Sequence, residues 1–183
     1  MITQNLLETI VLEQEQQFIL TKYCNLWENT CFEQYRNLPQ TIKGKFGENV
    51  VSRYLSLMGK QISKRTNQGN DFVGNSKKIE NKFSLCVTDY KKMKLIKNHF
   101  MMNHVSKEKD YDILCFLGCN HPSENEIVFF WMHKEEVVLE ITQGQYFSAQ
   151  QGGKKINNDD YMCSGDKLYS LYKKYGNRDI NLW

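Results

Sequence analysis

The chain is 183 residues long, 40% hydrophobic and 13% aromatic, which suits one packed core, is short for two, and excludes an intrinsically disordered chain. Its net charge is only +3, yet residues 43–100 hold thirteen Lys/Arg against four Asp/Glu, while residues 1–40 and 101–183 are each net −3. A polyanion is therefore expected at the middle of the chain, and the lack of any apolar run near membrane-span length argues against a membrane partner.

In chain order, residues 3–36 predict one or two helices, with Leu6, Leu7, Ile10 and Val11 on one stripe and Phe18, Ile19, Tyr23, Leu26, Trp27, Phe32 and Tyr35 continuing it. Such an arm either covers one sheet face or pairs with a second copy as a homodimer. Thr41 is placed to cap a helix running through Met58 and ended by Gly59, with Phe46, Val50, Val51, Tyr54, Leu55 and Met58 buried. Glu48 lies beside that stripe; its plain reading is a surface glutamate favoured by the helix dipole. Strands are expected over Gln61–Thr66, Asp71–Val73 and Lys78–Val87, then a lysine-rich helix from Tyr90 to about His104. Lys91 and Lys94 of that helix, with Lys45 earlier, are candidates for a phosphate backbone, or simply a solvated face.

Tyr111–Gly118 reads as a central strand, Glu126–Met132 as its neighbour, and His133–Ile141 as a short helix. From Thr142 to Gly165 the composition turns to Gln, Gly, Asn and Asp, so a functional loop is expected. Gln150, Gln151, Lys154 and Lys155 there are of the types that read bases or hold phosphates, although a plain surface loop fits equally. A last helix is expected over Lys167–Tyr175. The whole chain, 1–183, is read as a single domain: a helical arm (1–40), a catalytic core (41–141), then a loop and C-terminal helix (142–183). Six cysteines form no C-x-x-C pair and no basic leader precedes an apolar run, so reduced thiols in a cytoplasmic protein are expected. Cys115, Cys119, His121 and His133 match no common zinc spacing, and none of the four histidines has an evident nucleophile partner.

The chemistry concentrates between Gly69 and Leu85. Asp71 stands ahead of the triplet Glu80-Asn81-Lys82, with the turn-rich Gly74–Lys78 between them. A hairpin there brings Asp71 alongside Glu80, so two carboxylates and an ammonium converge. Mutual repulsion makes that cluster costly unless a cation neutralises it, and all-oxygen donors suit a hard ion such as magnesium. As a strand, Ile79, Asn81, Phe83 and Leu85 share one face, and Glu80, Lys82 and Ser84 the other. Taken alone the triplet also fits a solvated hairpin of alternating charge.

This arrangement resembles the PD-(D/E)xK nuclease superfamily, which includes many type II restriction endonucleases. The likeness covers roughly Lys43 to Val87, with a weaker one through the strands up to Val138. It implies an α/β (α+β) fold with a restriction-endonuclease-like core: a central mixed β-sheet of about four to five strands flanked by helices, preceded by the helical arm. It further implies catalytic roles for Glu48, Asp71, Glu80 and Lys82. Mg2+, with Mn2+ as substitute, would be held by Asp71, Glu80, Glu48 and the main-chain carbonyl of Asn81, and Lys82 would serve the attacking water. Asn70 stands where the motif carries proline, and Asn81 where many members carry an apolar residue, so Asn81 needs an internal hydrogen-bond partner. The expected activity is Mg-dependent hydrolysis of phosphodiester bonds in double-stranded DNA, as by a type II restriction endonuclease. No G-x-x-x-x-G-K-S/T segment accompanies it. A DNA-repair or junction nuclease, or a nucleic-acid-binding protein that does not cut, are the alternatives.

Overall fold

The computed structural model describes Glu13 and residues 26–64, 70–89, 91–92, 94–150 and 159–183. Most of the expected N-terminal helical arm, and Gln151, Lys154 and Lys155, lie outside the described residues. From Leu26 to Pro39 the chain forms turns and a single 3-10 turn at Gln34–Asn37 instead of the predicted helix. Asn29, at φ 59°, and the Thr30 hydroxyl donating to the Trp27 carbonyl at 2.6 Å supply the turns that end helical propagation. Trp27 is nonetheless buried, and Phe32 and Tyr35 both pack on the Phe83 ring.

Helix α1 spans Gln40–Leu57 and begins at Pro39 rather than at a Thr41 cap. Proline's fixed φ and the extended ψ of 151° deliver the chain into the first turn, and Lys43 N–H already donates to the Pro39 carbonyl. Met58 becomes the C-cap and is exposed, while Gly59, at φ 86°, takes the left-handed stop.

A mixed five-stranded sheet forms the centre, in the order β1 (Ile62–Lys64), β2 (Phe72–Gly74), β3 (Lys77–Leu85), β7 (Ile113–Cys119) and β8 (Ile127–His133). The neighbours β1–β2, β2–β3 and β7–β8 are antiparallel, while β3 and β7 run parallel with Ile79 opposite Ile113 and Leu85 opposite Cys119. Strand β7 is buried along its whole length, as its unbroken apolar run requires of a central strand. Strand β3 is covered on both faces. Phe83 meets α1 at Gly47, and on the other face Ser84 Oγ accepts from the Met101 N–H.

Among the described residues the lysine-rich helix predicted from Tyr90 is absent. The chain forms instead a small hairpin, β4 (Thr88–Asp89) with β5 (Lys94–Leu95), followed by β6 (Met101–Val105). Asn98 adopts φ 59° and exchanges side-chain hydrogen bonds with Asn120, which breaks any helix there. Beyond it the pattern has a period of two: Phe100 and Met102 are buried, Met101 is exposed. The expected loop of residues 142–165 likewise contains β9 (Ser148–Ala149) and β10 (Tyr161–Ser164), which join β6 in a second sheet of order β6-β10-β9. Helices α2 (Lys134–Gln143) and α3 (Gly165–Tyr175) follow the expected segments. His133 and Glu136 close a capping box at the start of α2, and Gly144 ends it at φ 68°. A buried Glu140 accepts from the Tyr175 hydroxyl at 2.6 Å, tying α2 to α3.

Candidate active site

The hairpin that builds the site is tighter than its turn-rich sequence required. Asn75 and Ser76 both have positive φ, 48° and 67°, the two-residue turn whose twist matches antiparallel strands, so Gly74 pairs directly with Lys77. Asp71 thereby falls at the end of β2, where its N–H donates to the Ile79 carbonyl at 2.8 Å. Its Oδ2 accepts from both the main-chain N–H and the side-chain amide of Asn81, each at 2.8 Å. The partner that a buried Asn81 needs is thus the first acid of the motif. Asn70 donates to the Phe72 carbonyl at 2.9 Å.

Pairing between β2 and β3 stops at Phe72–Ile79, so the edge of β3 beyond Asn81 has no strand beside it among the described residues. A strand residue directs its N–H and C=O to the same side. The Asn81 N–H reaches Asp71, and its carbonyl accordingly faces the same open edge. A cleft of about 350 Å³ lies here, lined by Glu48, Asp71, Glu80, Asn81 and Lys82, and also by Lys109 and His104. A second, larger cleft of about 730 Å³, lined by Lys45, Ser63 and Phe72, shares Glu48 and Asp71 with the first.

Glu80 is only 3% exposed, and a buried carboxylate needs partners. Both are lysines: Lys82 Nζ at 2.7 Å and Lys109 Nζ at 2.8 Å, donating to the same oxygen, Oε1. Asp71 has no lysine within ion-pair distance among the described residues. Burial first, then the charge of Glu80, and more weakly that of Glu48, push its carboxyl up to about 6, against the opposing pull of the Asn81 N–H and Lys82. Tyr111, whose hydroxyl donates to the Ser106 carbonyl, is raised by its own burial and by the Glu80 charge.

Helix α1 contributes Glu48 through its neighbour. A Cβ on Gly47 would stand 2.7 Å from Phe83 Cβ, so glycine lets the helix lie close against β3 and holds Glu48 at the junction of the two clefts. Glu48 is paired with Lys45 at 2.6 Å.

The expected site residues Glu48, Asp71, Glu80, Asn81 and Lys82 therefore line one cleft, and Lys45 joins them through Glu48. Lys91 and Lys94 are exposed near and on the small hairpin and line neither cleft. The Gln150 side-chain oxygen accepts from the His104 N–H at 2.9 Å, linking the segment after β9 to β6 within the second sheet. Lys109 was not foreseen. Its run, S-K-E-K-D-Y-D, carries no pattern of its own; the parallel pairing of β3 with β7 brings the residues just before β7 to the start of β3.

Among the described residues no group of three or more His, Cys, Asp or Glu side chains forms a ready metal cage. What the cleft offers is a set of hard oxygen donors, the carboxylates of Asp71, Glu80 and Glu48, with the Asn81 carbonyl. That donor chemistry fits a small divalent cation better than a soft one. No family model, curated protein or solved structure matches the chain.

Proposed function

We propose that the chain is a magnesium-dependent endonuclease that hydrolyses phosphodiester bonds of double-stranded DNA, with a restriction-endonuclease-like core and a cutting mode of the type II restriction kind. The observation that carries this reading is the meeting of Asp71, Glu80 and Lys82 at the open edge of β3, with Glu48 beside them. Asp71, Glu80, Glu48 and the Asn81 carbonyl would hold Mg2+, or Mn2+ in its place. When bound, the ion polarises a phosphoryl oxygen and lowers the pKa of a water molecule. Lys82, its side chain 15% exposed and anchored to Glu80 at 2.7 Å, keeps an ammonium aimed where charge develops on the phosphate and where the water attacks. Asn81 orients Asp71 through both of its donors. The net positive charge of residues 43–100 supports recruitment of a polyanion, and a homodimer is the natural way to cut both strands.

One observation favours a nucleic-acid-binding protein that does not cut: Glu80 already has two ammonium partners. Incubation of plasmid DNA with Mg2+, and then with excess chelator, separates the readings. Cleavage that needs the metal and is lost in Asp71→Ala, Glu80→Gln and Lys82→Ala, with salt-sensitive DNA binding retained, is the expected result. Binding without cleavage on every duplex tested would refute the nuclease.

A further inference from the structure

The charge pattern around Glu80 is unequal in a way the proposed reaction leaves unexplained. Among the described residues Glu48 has one lysine, Asp71 has none, and Glu80 has two on a single oxygen. Two ammonium groups that share one acceptor repel each other; one suffices to neutralise the carboxylate, so the second is held in reserve. The two differ in setting. The Lys82 side chain is 15% exposed and that of Lys109 is 39% exposed, so Lys109 leaves at the smaller cost.

The backbone that carries Lys109 is fixed. Asp159 accepts from the Ser106 hydroxyl and from the N–H groups of Lys107 at 3.0 Å and Glu108 at 2.8 Å. Ser106 Oγ also accepts from the Lys109 N–H at 3.1 Å, and Lys134 Nζ donates to the Lys109 carbonyl. The loop, held by these bonds, presents a long, flexible, point-charged side chain in the same cleft that Asp71 lines. That combination suits exchange between two anions.

Resting on the nuclease reading, we propose that Lys109 is a second active-site lysine, the counter-ion of Glu80 in the metal-free protein and a clamp on the scissile phosphate once a divalent cation takes over Glu80. Metal loading and phosphate capture are then coupled: the cation frees the ammonium that the substrate requires. Free Lys109 is kept off the phosphate until the site can react, which opposes unproductive DNA binding in the absence of metal.

The test uses the full chain and Mn2+ alone, without DNA, in calorimetric titrations of wild type, Lys109→Met and Asp71→Asn. Lys109→Met is expected to bind Mn2+ about tenfold more tightly, because the ion no longer competes with an ammonium partly screened by water. In single-turnover cleavage at saturating metal its kcat falls about 100-fold while KM for the duplex changes less than about threefold, the signature of an interaction made in the transition state. Unchanged or weaker Mn2+ binding by Lys109→Met, or an unchanged kcat, overturns the proposal while leaving the nuclease intact. If wild type and Asp71→Asn fail alike to bind Mn2+, the metal-site reading itself falls and takes this one with it. Thermal unfolding in chelator checks that Lys109→Met folds; Lys109→Gln, which keeps a neutral donor, replaces it if it does not.

Discussion

Substituting Gly47 tests whether the closeness of α1 to β3 holds the site together. An alanine Cβ there would stand 2.7 Å from Phe83 Cβ and 3.3 Å from Phe83 Cγ, whereas carbons in contact settle at about 3.5–4.0 Å. The clash is with the root of a packed ring, which Tyr35 and Phe46 hold from either side, so the helix must retreat by about 1 Å. Overpacking of that kind costs about 1–3 kcal/mol, partly offset by the roughly 0.5–1 kcal/mol that alanine gains over glycine inside a helix. A net loss of about 1–2 kcal/mol lowers Tm by about 2–8 °C for a chain of this size. Gly44 lies one turn earlier in the same helix, with nothing within 4 Å of a built Cβ; Gly44→Ala is therefore expected to gain about 0.5 kcal/mol from propensity alone. Urea denaturation followed by circular dichroism compares the two variants directly. Because Glu48 is the next residue, the proposed nuclease activity predicts that Gly47→Ala also loses about 100-fold in cleavage, the effect of a shift near 1 Å at a reacting centre. Equal stability of the two variants, or a Gly47→Ala protein as stable as wild type, would refute the close-packing account.

Two further outcomes follow from buried charge. The Asp71 carboxyl is raised from 3.8 to about 6, so between those values the folded protein binds a proton that the unfolded chain has released, and stability falls as pH rises through this window. The loss amounts to about 2–3 kcal/mol without metal. Urea titrations in chelator from pH 4 to 7 should show the decline in wild type and a flatter profile in Asp71→Asn; parallel profiles would place the titrating group elsewhere. In Tyr175→Phe the buried Glu140 loses the 2.6 Å donor, which should destabilise the protein by about 1–2 kcal/mol, measured as a lower urea midpoint at unchanged slope; no change would show that Lys174, at 2.5 Å, satisfies that carboxylate unaided.

The hairpin from Phe72 to Leu85, the buried strand Ile113–Cys119 and the helices closed by Gly59 and Gly144 were legible in the chain because each is written in a few neighbouring residues. The reading of residues 90–104 failed where two periods compete. Lysines spaced like a helix face precede Phe100 and Met102, whose alternation is that of a strand, and the left-handed Asn98 with its partner Asn120 decides for the strand.

By itself the sequence determined that two acids and a lysine, the candidate site residues, fall on the two arms of one hairpin, because turn and alternation act over short distances. Only the tertiary structure decided what stands around them. The parallel pairing of β3 with β7 brings Lys109 to Glu80 across 29 residues, and the absence of a side chain on Gly47 lets α1 bring up Glu48. Both depend on how elements distant in sequence pack against each other, which no local preference of the backbone encodes.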